Sequence, residues 1–195
     1  MVEKIKKQDL AEYLSVTDFR EFPSGVDLTS TPDEQIESCF TMLGDVVQDY
    51  VSKPFLTQIW TDRRKGNGTN KFNTTYDPVK IISIKEQVDY NTTNEIAISS
   101  TRWCPEGRVI EASLNYFYPD YTYEVKYTMG SQQLPRKVKQ AIFLAVANYL
   151  NSLDYMGMKA IKIDTIQVWL GSNKDPLPDM AKALLSEWVE DMGVI

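Results

Sequence analysis

Apolar positions recur with a helical period in several stretches of this chain and with a strand period between them. Ile36, Phe40, Leu43, Val47 and Tyr50 or Val51 fall three or four residues apart, and Cys39 and Val46 widen the stripe. This predicts an amphipathic helix over about residues 32–52. Thr31 as N-cap, Pro32 at the first helical position and Glu34 three residues after Thr31 make a capping box at its start, and Pro54 stops it. Leu134-Pro135 opens another helix, with Val138, Ile142, Ala145 and Tyr149 in one stripe and Ala141, Leu144 and Leu150 alongside, running to about Ser152. Pro178-Asp179 begins a last one, whose expected buried face carries Met180, Leu184, Trp188 and Val189 and which Gly193 ends. A short helix over about residues 7–14, with Leu10 and Leu14 on one face, precedes Asp18 and the Pro23-Ser24-Gly25 turn.

Between these helices the period changes to two. Phe55 to Trp60 reads as a strand, Arg63 to Asn73 as a polar Gly-containing loop, and Val79 to Val88 as a β-branched strand. Glu95 to Thr101 and Val109 to Leu114 flank Pro105-Glu106-Gly107, as an antiparallel hairpin would, and Tyr121 to Thr128 is a further strand before Met129-Gly130. Ala160 to Leu170 alternates Ile161, Ile163, Thr165, Gln167 and Trp169 and breaks at Gly171-Ser172-Asn173, the pattern of a return strand. The expected fold class is α+β, a bundle of about three to four helices with a small antiparallel β-sheet inserted. The whole of 1–195 is expected to be one domain, helical over about 7–54, 134–153 and 176–192, with the β-rich insertion over about 55–130.

Composition narrows the function more than the fold. The chain has no histidine, which removes the commonest general base, the commonest metal ligand and every Ser-His or Cys-His arrangement. Cys39 and Cys104 are far apart with no CxxC spacing, so two free thiols are expected rather than a zinc site or a disulfide framework, and Cys39 belongs to the core stripe. With 21 Lys and Arg against 27 Asp and Glu the net charge is −6, and the charges are interspersed, which argues against an autonomous duplex-DNA binder. No apolar run reaches the ~18 residues of a membrane span, and residues 1–7 offer no apolar signal segment; synthesis in a cytoplasm is expected, with no membrane partner. Three Asn-X-Thr triplets, at Asn67, Asn73 and Asn91, then read as turn chemistry.

Candidate chemistry is thin. Asp89 with Glu95, or Glu111 with Asp120, are carboxylate pairs of the kind a glycoside hydrolase needs, but 27 acidic residues make such pairs commonplace and a solvated face is the better reading. Gly66-Asn67-Gly68 lacks the remaining glycine and the following helix of a phosphate-binding loop. Trp103, Tyr116, Phe117, Tyr118, Tyr121 and Tyr123 concentrate aromatic rings suited to core packing plus subunit contact, or to stacking on bases or sugars. Arg63, Arg64 and Lys65 are a short basic cluster beside the loop, a solvated turn or a phosphate contact. No catalytic residue, metal or cofactor is expected.

The order of elements, taken with three passages, resembles the head-to-tail adaptor proteins of tailed phages, also called connector or head-completion proteins. The passages are the helix through Ile36 to Val51 ending Lys53-Pro54-Phe55; Pro78 to Ile84 followed by Glu124-Val125-Lys126-Tyr127-Thr128-Met129-Gly130 and Leu134 to Ala141; and the terminal Leu177-Pro178 helix with Leu184-Leu185. The resemblance implies a non-enzymatic virion protein of the neck. It implies copies arranged in a ring, commonly of twelve, that join the portal to the tail terminator, stopper or tail, with each subunit's free sheet edge covered by the next. Genomic DNA would pass through the ring without specific binding, as a negatively charged subunit permits. It also implies that sheet loops and the C-terminal segment reach neighbouring proteins, making Arg63, Arg64, Lys65, Asn70, Trp188, Val194 and Ile195 the interface candidates, although core packing suits Trp188 better. Competing readings are another neck or tail-completion component, a carbohydrate- or receptor-binding module using the tyrosine-rich sheet, and a carboxylate-based hydrolase.

Overall fold

The structure is a computed structural model; it describes residues 7–51, 53–89, 92–98, 101–104, 108–113, 116–155 and 177–189. The chain divides into two compact units, one formed by Leu56–Gln132 and the other by Lys7–Phe55 with Gln133–Ile195. The architecture is α+β, helices in one unit and antiparallel sheets in the other.

The helical unit holds a 3-10 turn at Ala11–Tyr13 and helices α1 (Val16–Glu21), α2 (Asp33–Tyr50), α3 (Arg136–Tyr155) and α4 (Asp179–Leu185), the last followed by a 3-10 turn at Ser186–Trp188. The stripe read in α2 is the buried one: Ile36, Cys39, Phe40, Leu43 and Val47 lie inside, as do Val138, Ala141, Ile142, Ala145, Val146 and Leu150 of α3. Phe143 joins the two helices to α1, its ring 5.2 Å from Phe19 and 5.6 Å from Phe40, while Phe19 meets Phe40 edge-on at 5.6 Å. Gly44 admits Leu10 closely, since a Cβ there would stand 3.4 Å from the Leu10 Cβ.

Three expectations are corrected here. The first α-helix lies at Val16–Glu21 and includes Asp18; residues 7–14 supply only the short 3-10 turn, and Ser15 caps α1 by accepting from the Asp18 N–H at 3.4 Å. No side chain caps α2, which starts after Pro32. The loop before it is held instead by Arg20, whose guanidinium donates to the carbonyls of Leu28 (2.7 Å) and Thr31 (2.8 Å) and to Asp33 Oδ1 (2.6 Å). In α4 the buried face is Ala181 and Leu185, joined by Leu177 just before the helix, with Met180 67% exposed. A small alanine at the centre of that face carries little hydrophobic signal, so the more apolar neighbouring stripe looked like the core side.

The β unit holds β1 (Gln58–Lys65), β2 (Lys71–Asn73), β3 (Lys80–Gln87), β4 (Thr93–Ile96), β5 (Thr101–Cys104), β6 (Val109–Ala112) and β7 (Thr122–Met129). They form a four-stranded sheet ordered β1-β7-β3-β4 and a three-stranded sheet ordered β2-β6-β5, with every pairing antiparallel. Side chains alternate across each strand, and one cluster collects the inward sets of both sheets: Trp60, Ile84, Tyr123, Val125, Tyr127 and Met129 with Phe72, Ile110, Ala112 and Phe117. The register of β3 slips between Ile81 and Ser83, so Ile81 and Ile84 both face that core while Ile82 stays exposed. Gly130 ends β7 at φ +81°, where a Cβ would stand 2.3 Å from the Leu56 carbonyl oxygen. That close approach lets Ser131 accept from the Thr57 N–H at 2.8 Å.

The hairpin expected across residues 105–107 forms from β5 and β6, whereas the 93–96 stretch leaves it and pairs with β3. The expected loop over 63–73 shrinks to residues 66–70, because Arg63, Arg64 and Lys65 continue β1 and Lys71–Asn73 is itself a strand. The return strand read at 160–170 lies outside the described residues.

Candidate interface surface

The four-stranded sheet presents its second face to solvent. Directly paired residues place Arg63, Glu124, Lys85 and Glu95 in one row across β1, β7, β3 and β4, and Lys65, Thr122, Gln87 and Thr93 in the next. Charges alternate along the first row, the arrangement that favours cross-strand pairs. The Arg63 guanidinium reaches over β7 to Gln87 Oε1 at 2.6 Å, and Arg63, Lys85, Gln87, Thr93, Thr122 and Glu124 line a shallow open depression. Ile59, 57% exposed, lies on the same face.

Arg64, between the two outward cations, points to the inner side. It donates to Thr75 Oγ1 at 2.6 Å and stands 3.8 Å from the buried carboxylate of Asp62. Asp62 accepts from Tyr127 Oη (2.9 Å), the Thr75 N–H (2.7 Å), Thr75 Oγ1 (2.5 Å) and Trp60 Nε1 (3.3 Å). Burial above all, and the neighbouring Asp62 charge with it, push the Tyr127 hydroxyl well above the ordinary tyrosine range, so it remains a donor. Tyr123 is pushed the same way by burial and by its bond to Glu86 Oε1 at 2.7 Å. Sequence reasoning missed the Asp62 network; the only trace of it is an acid at an inward position of β1.

The loop at 66–70 is pinned to the segment before β7. Gly66 and Gly68 donate to the carbonyls of Tyr121 (3.0 Å) and Phe117 (2.9 Å), and the Phe117 N–H returns to Thr69 O at 2.8 Å. Asn67 Oδ1 accepts from both the N–H and the hydroxyl of Thr69, closing an Asx turn. A Cβ on Gly66 would meet the Tyr118 carbonyl oxygen at 2.2 Å, so the glycine is needed for close packing rather than for a phosphate. Beside this loop Tyr116 and Tyr118 are half exposed, 5.4 Å apart, with Tyr121 5.5 Å from Tyr118; Phe117 and Tyr123 are buried. The aromatic concentration thus separates into core rings and a surface cluster, and the Trp103 side chain is outside the described residues.

Among the remaining candidates, Asn70 is exposed, with its carbonyl accepting from the Ala112 N–H at 2.8 Å. Trp188 is half-buried with its ring 5.7 Å from Phe55, and Val194 and Ile195 lie outside the described residues. Of the acid pairs, Asp89 accepts from the N–H and hydroxyl of Thr92, Glu95 faces Lys85, and Glu111 lies 3.5 Å from the Asn70 amide. Among the described residues no group of three or more Cys, Asp or Glu is placed to hold a metal ion, and no helix is long and apolar enough to cross a membrane.

Buried polar groups thus brace the inner face of one sheet, while charge and tyrosine lie exposed on its outer face and at its loops. The family model described as head completion protein matches residues 12–188, and the chain belongs to that family. In fold it is similar to a chain of the neck of an empty gene transfer agent (GTA) particle computed with C6 symmetry, at TM-score 0.57 and 17% identity, covering 100% of this chain and 98% of that one. It is similar too to a chain of the virion of a native GTA particle, at TM-score 0.56 and 15% identity over 98% and 97% of the two chains. No curated protein matches it.

Proposed function

We propose that this protein is a structural component of the virion neck, one that completes the head by joining the portal to the tail. The family match over nearly the whole chain carries this reading, and the fold likeness to chains of a GTA neck and virion supports it. In it, copies form a ring, of twelve when matched to the portal, through which genomic DNA passes without specific contacts. The net charge of −6 suits that role, because a lumen rich in cations would hold phosphate. Binding and docking are the whole of the mechanism, and no bond is made or broken.

Arg63, Lys65 and Asn70, exposed on the β unit, are the proposed contact residues, with the Tyr116 and Tyr118 cluster beside them. Arg64, bonded to Thr75 with its side chain still exposed, and Trp188, half-buried beside Phe55, stand as further proposed contacts. Val194 and Ile195 stand as proposed contacts for the portal or the tail.

The test is negative-stain imaging of the protein mixed with the portal protein of the same particle, against each alone. A thickened, rotationally symmetric collar on the portal is the expected result. Absence of added density well above micromolar concentration overturns the portal-joining role and moves the protein to the tail side of the neck.

A further inference from the structure

Among the described residues no strand pairs with either edge of the four-stranded sheet, and the two edges are unlike in charge. β1 and β4 are its outermost strands. Gly66 donates to Tyr121 O and Val88 donates to Thr92 O, which sets the alternation of inward and outward backbone groups along both edge strands. On β1 the even-numbered residues bond to β7, leaving the N–H and C=O groups of Ile59, Thr61, Arg63 and Lys65 at the free edge. On β4 the same count leaves those of Thr93 and Glu95 free. Arg63, Arg64 and Lys65 make the first edge cationic, and Glu95 makes the second acidic.

We propose that neighbouring copies of this chain join by sheet extension, the free edge of β4 in one copy pairing antiparallel with the free edge of β1 in the next, Glu95 opposite Arg63 and Thr93 opposite Lys65. The proposal rests on the reading that the protein assembles with itself. Three features support it. Every adjacent pair in the sheet is antiparallel, so β1 and β4 of a four-stranded sheet run in opposite directions, and a copy placed alongside without being turned over meets β1 antiparallel. With no shift along the strands, the residues with outward backbone groups on one edge, 93 and 95, face those on the other, 65 and 63, as a hydrogen-bonded antiparallel ladder requires. The row Arg63, Glu124, Lys85, Glu95 then continues into the next copy's Arg63 with its alternation of sign unbroken. Pairing β4 with β4 in register would instead set Glu95 near Glu95, and centring β1 on its own cationic end would bring two basic runs together. The favoured contact is therefore head-to-tail, the kind that closes into a ring. It also explains how exposed edges escape unspecific strand pairing, since each carries charge that only the other complements.

The experiment is disulfide trapping in the full-length chain carrying Cys104→Ser, with and without the portal protein. Cys39 is buried with its thiol pushed up to about 12, so it stays silent under mild oxidation. Three double variants are compared: Arg63→Cys with Glu95→Cys, Lys65→Cys with Thr93→Cys, and Ile59→Cys with Glu95→Cys. Within one copy positions 63 and 95 stand three strand spacings apart, roughly 14 Å, too far for a disulfide, so oxidation of one copy alone yields no bridge. The expected result is a ladder of covalent multimers from the first two pairs and none from the third. No ladder from either of the first two pairs in either condition overturns the proposal, as does an equal ladder from the third. Positions 59, 63, 65, 93 and 95 are exposed, and circular dichroism of the reduced variants verifies the fold. Imaging of the unsubstituted protein with the portal judges the neck role separately. A collar without a ladder removes sheet extension alone, and a ladder without a collar supports sheet extension and removes the portal-joining role.

Discussion

Asp62 is the residue whose loss should be felt most for its size. Its carboxylate is buried on the inner face of β1 and receives four donors, from Tyr127, Thr75 twice and Trp60. Asp62→Ala leaves the Tyr127 hydroxyl and the Thr75 N–H without their acceptor. A hydrogen bond to a charged group contributes about 1.5–3 kcal/mol, and an unsatisfied buried donor costs about 1–3 kcal/mol. These terms overlap, so the expected loss is about 3–5 kcal/mol, the scale of removing one partner from a buried charged network. Asp62→Asn keeps the shape but turns one acceptor into a donor facing other donors, and should cost about 1–3 kcal/mol. Tyr127→Phe removes a single donor and should cost about 1–2 kcal/mol. With a urea slope of about 2 kcal/mol per molar, Asp62→Ala moves the unfolding midpoint down by roughly 1.5–2.5 M. A midpoint within about 0.3 M of the parent, at unchanged slope, would refute the claim that this network braces the β unit.

Gly130→Ala should destabilise by about 2–3 kcal/mol, because an L side chain at φ +81° is strained and its Cβ collides with the Leu56 carbonyl; thermal melting measures it, and an unchanged midpoint contradicts the geometry. Phe143→Ala removes the ring that Phe19, Phe22 and Phe40 all touch and should cost about 3–5 kcal/mol by urea titration. Burial raises the Cys39 thiol from 9.0 to about 12. The unfolded chain then loses this proton first, so stability from this group is full below pH 9 and falls by at most about 1.4 kcal/mol per pH unit up to pH 12. Cys39→Ala should flatten that slope, and the native thiol should react with a disulfide reagent only on unfolding.

Local period was legible in the residues themselves. The α2 stripe from Ile36 to Val47, the α3 stripe around Ile142, and the alternation of β3 and β7 each follow from burying one side of a repeating backbone, which a chain of any surroundings must do. The missing histidines narrowed the chemistry in the same direct way, and the order of elements pointed to the family that the match over 12–188 shows. Where a segment's behaviour depends on a distant partner, the local signal ran out. Thr31 looked like a cap, yet Arg20 holds the loop before α2. Arg63 to Lys65 looked like a loop, because an edge strand with a solvated outer face needs no apolar alternation there. Met180 outweighed Ala181 in hydrophobicity, but contact with α3 chose Leu177, Ala181 and Leu185.

Amino-acid order by itself determined the long helices α2 and α3, the strands β3 and β7, and which chemistries lack their usual side chains, since these depend on near neighbours and residue type. The tertiary structure alone decided that residues 93–96 pair with β3 rather than β6, that Asp62 meets Tyr127 sixty-five positions away, and that Arg63 and Glu95 end on opposite edges of one sheet. Pairing partner and register are set by packing both inner faces at once, a constraint between distant segments that no short window of sequence contains.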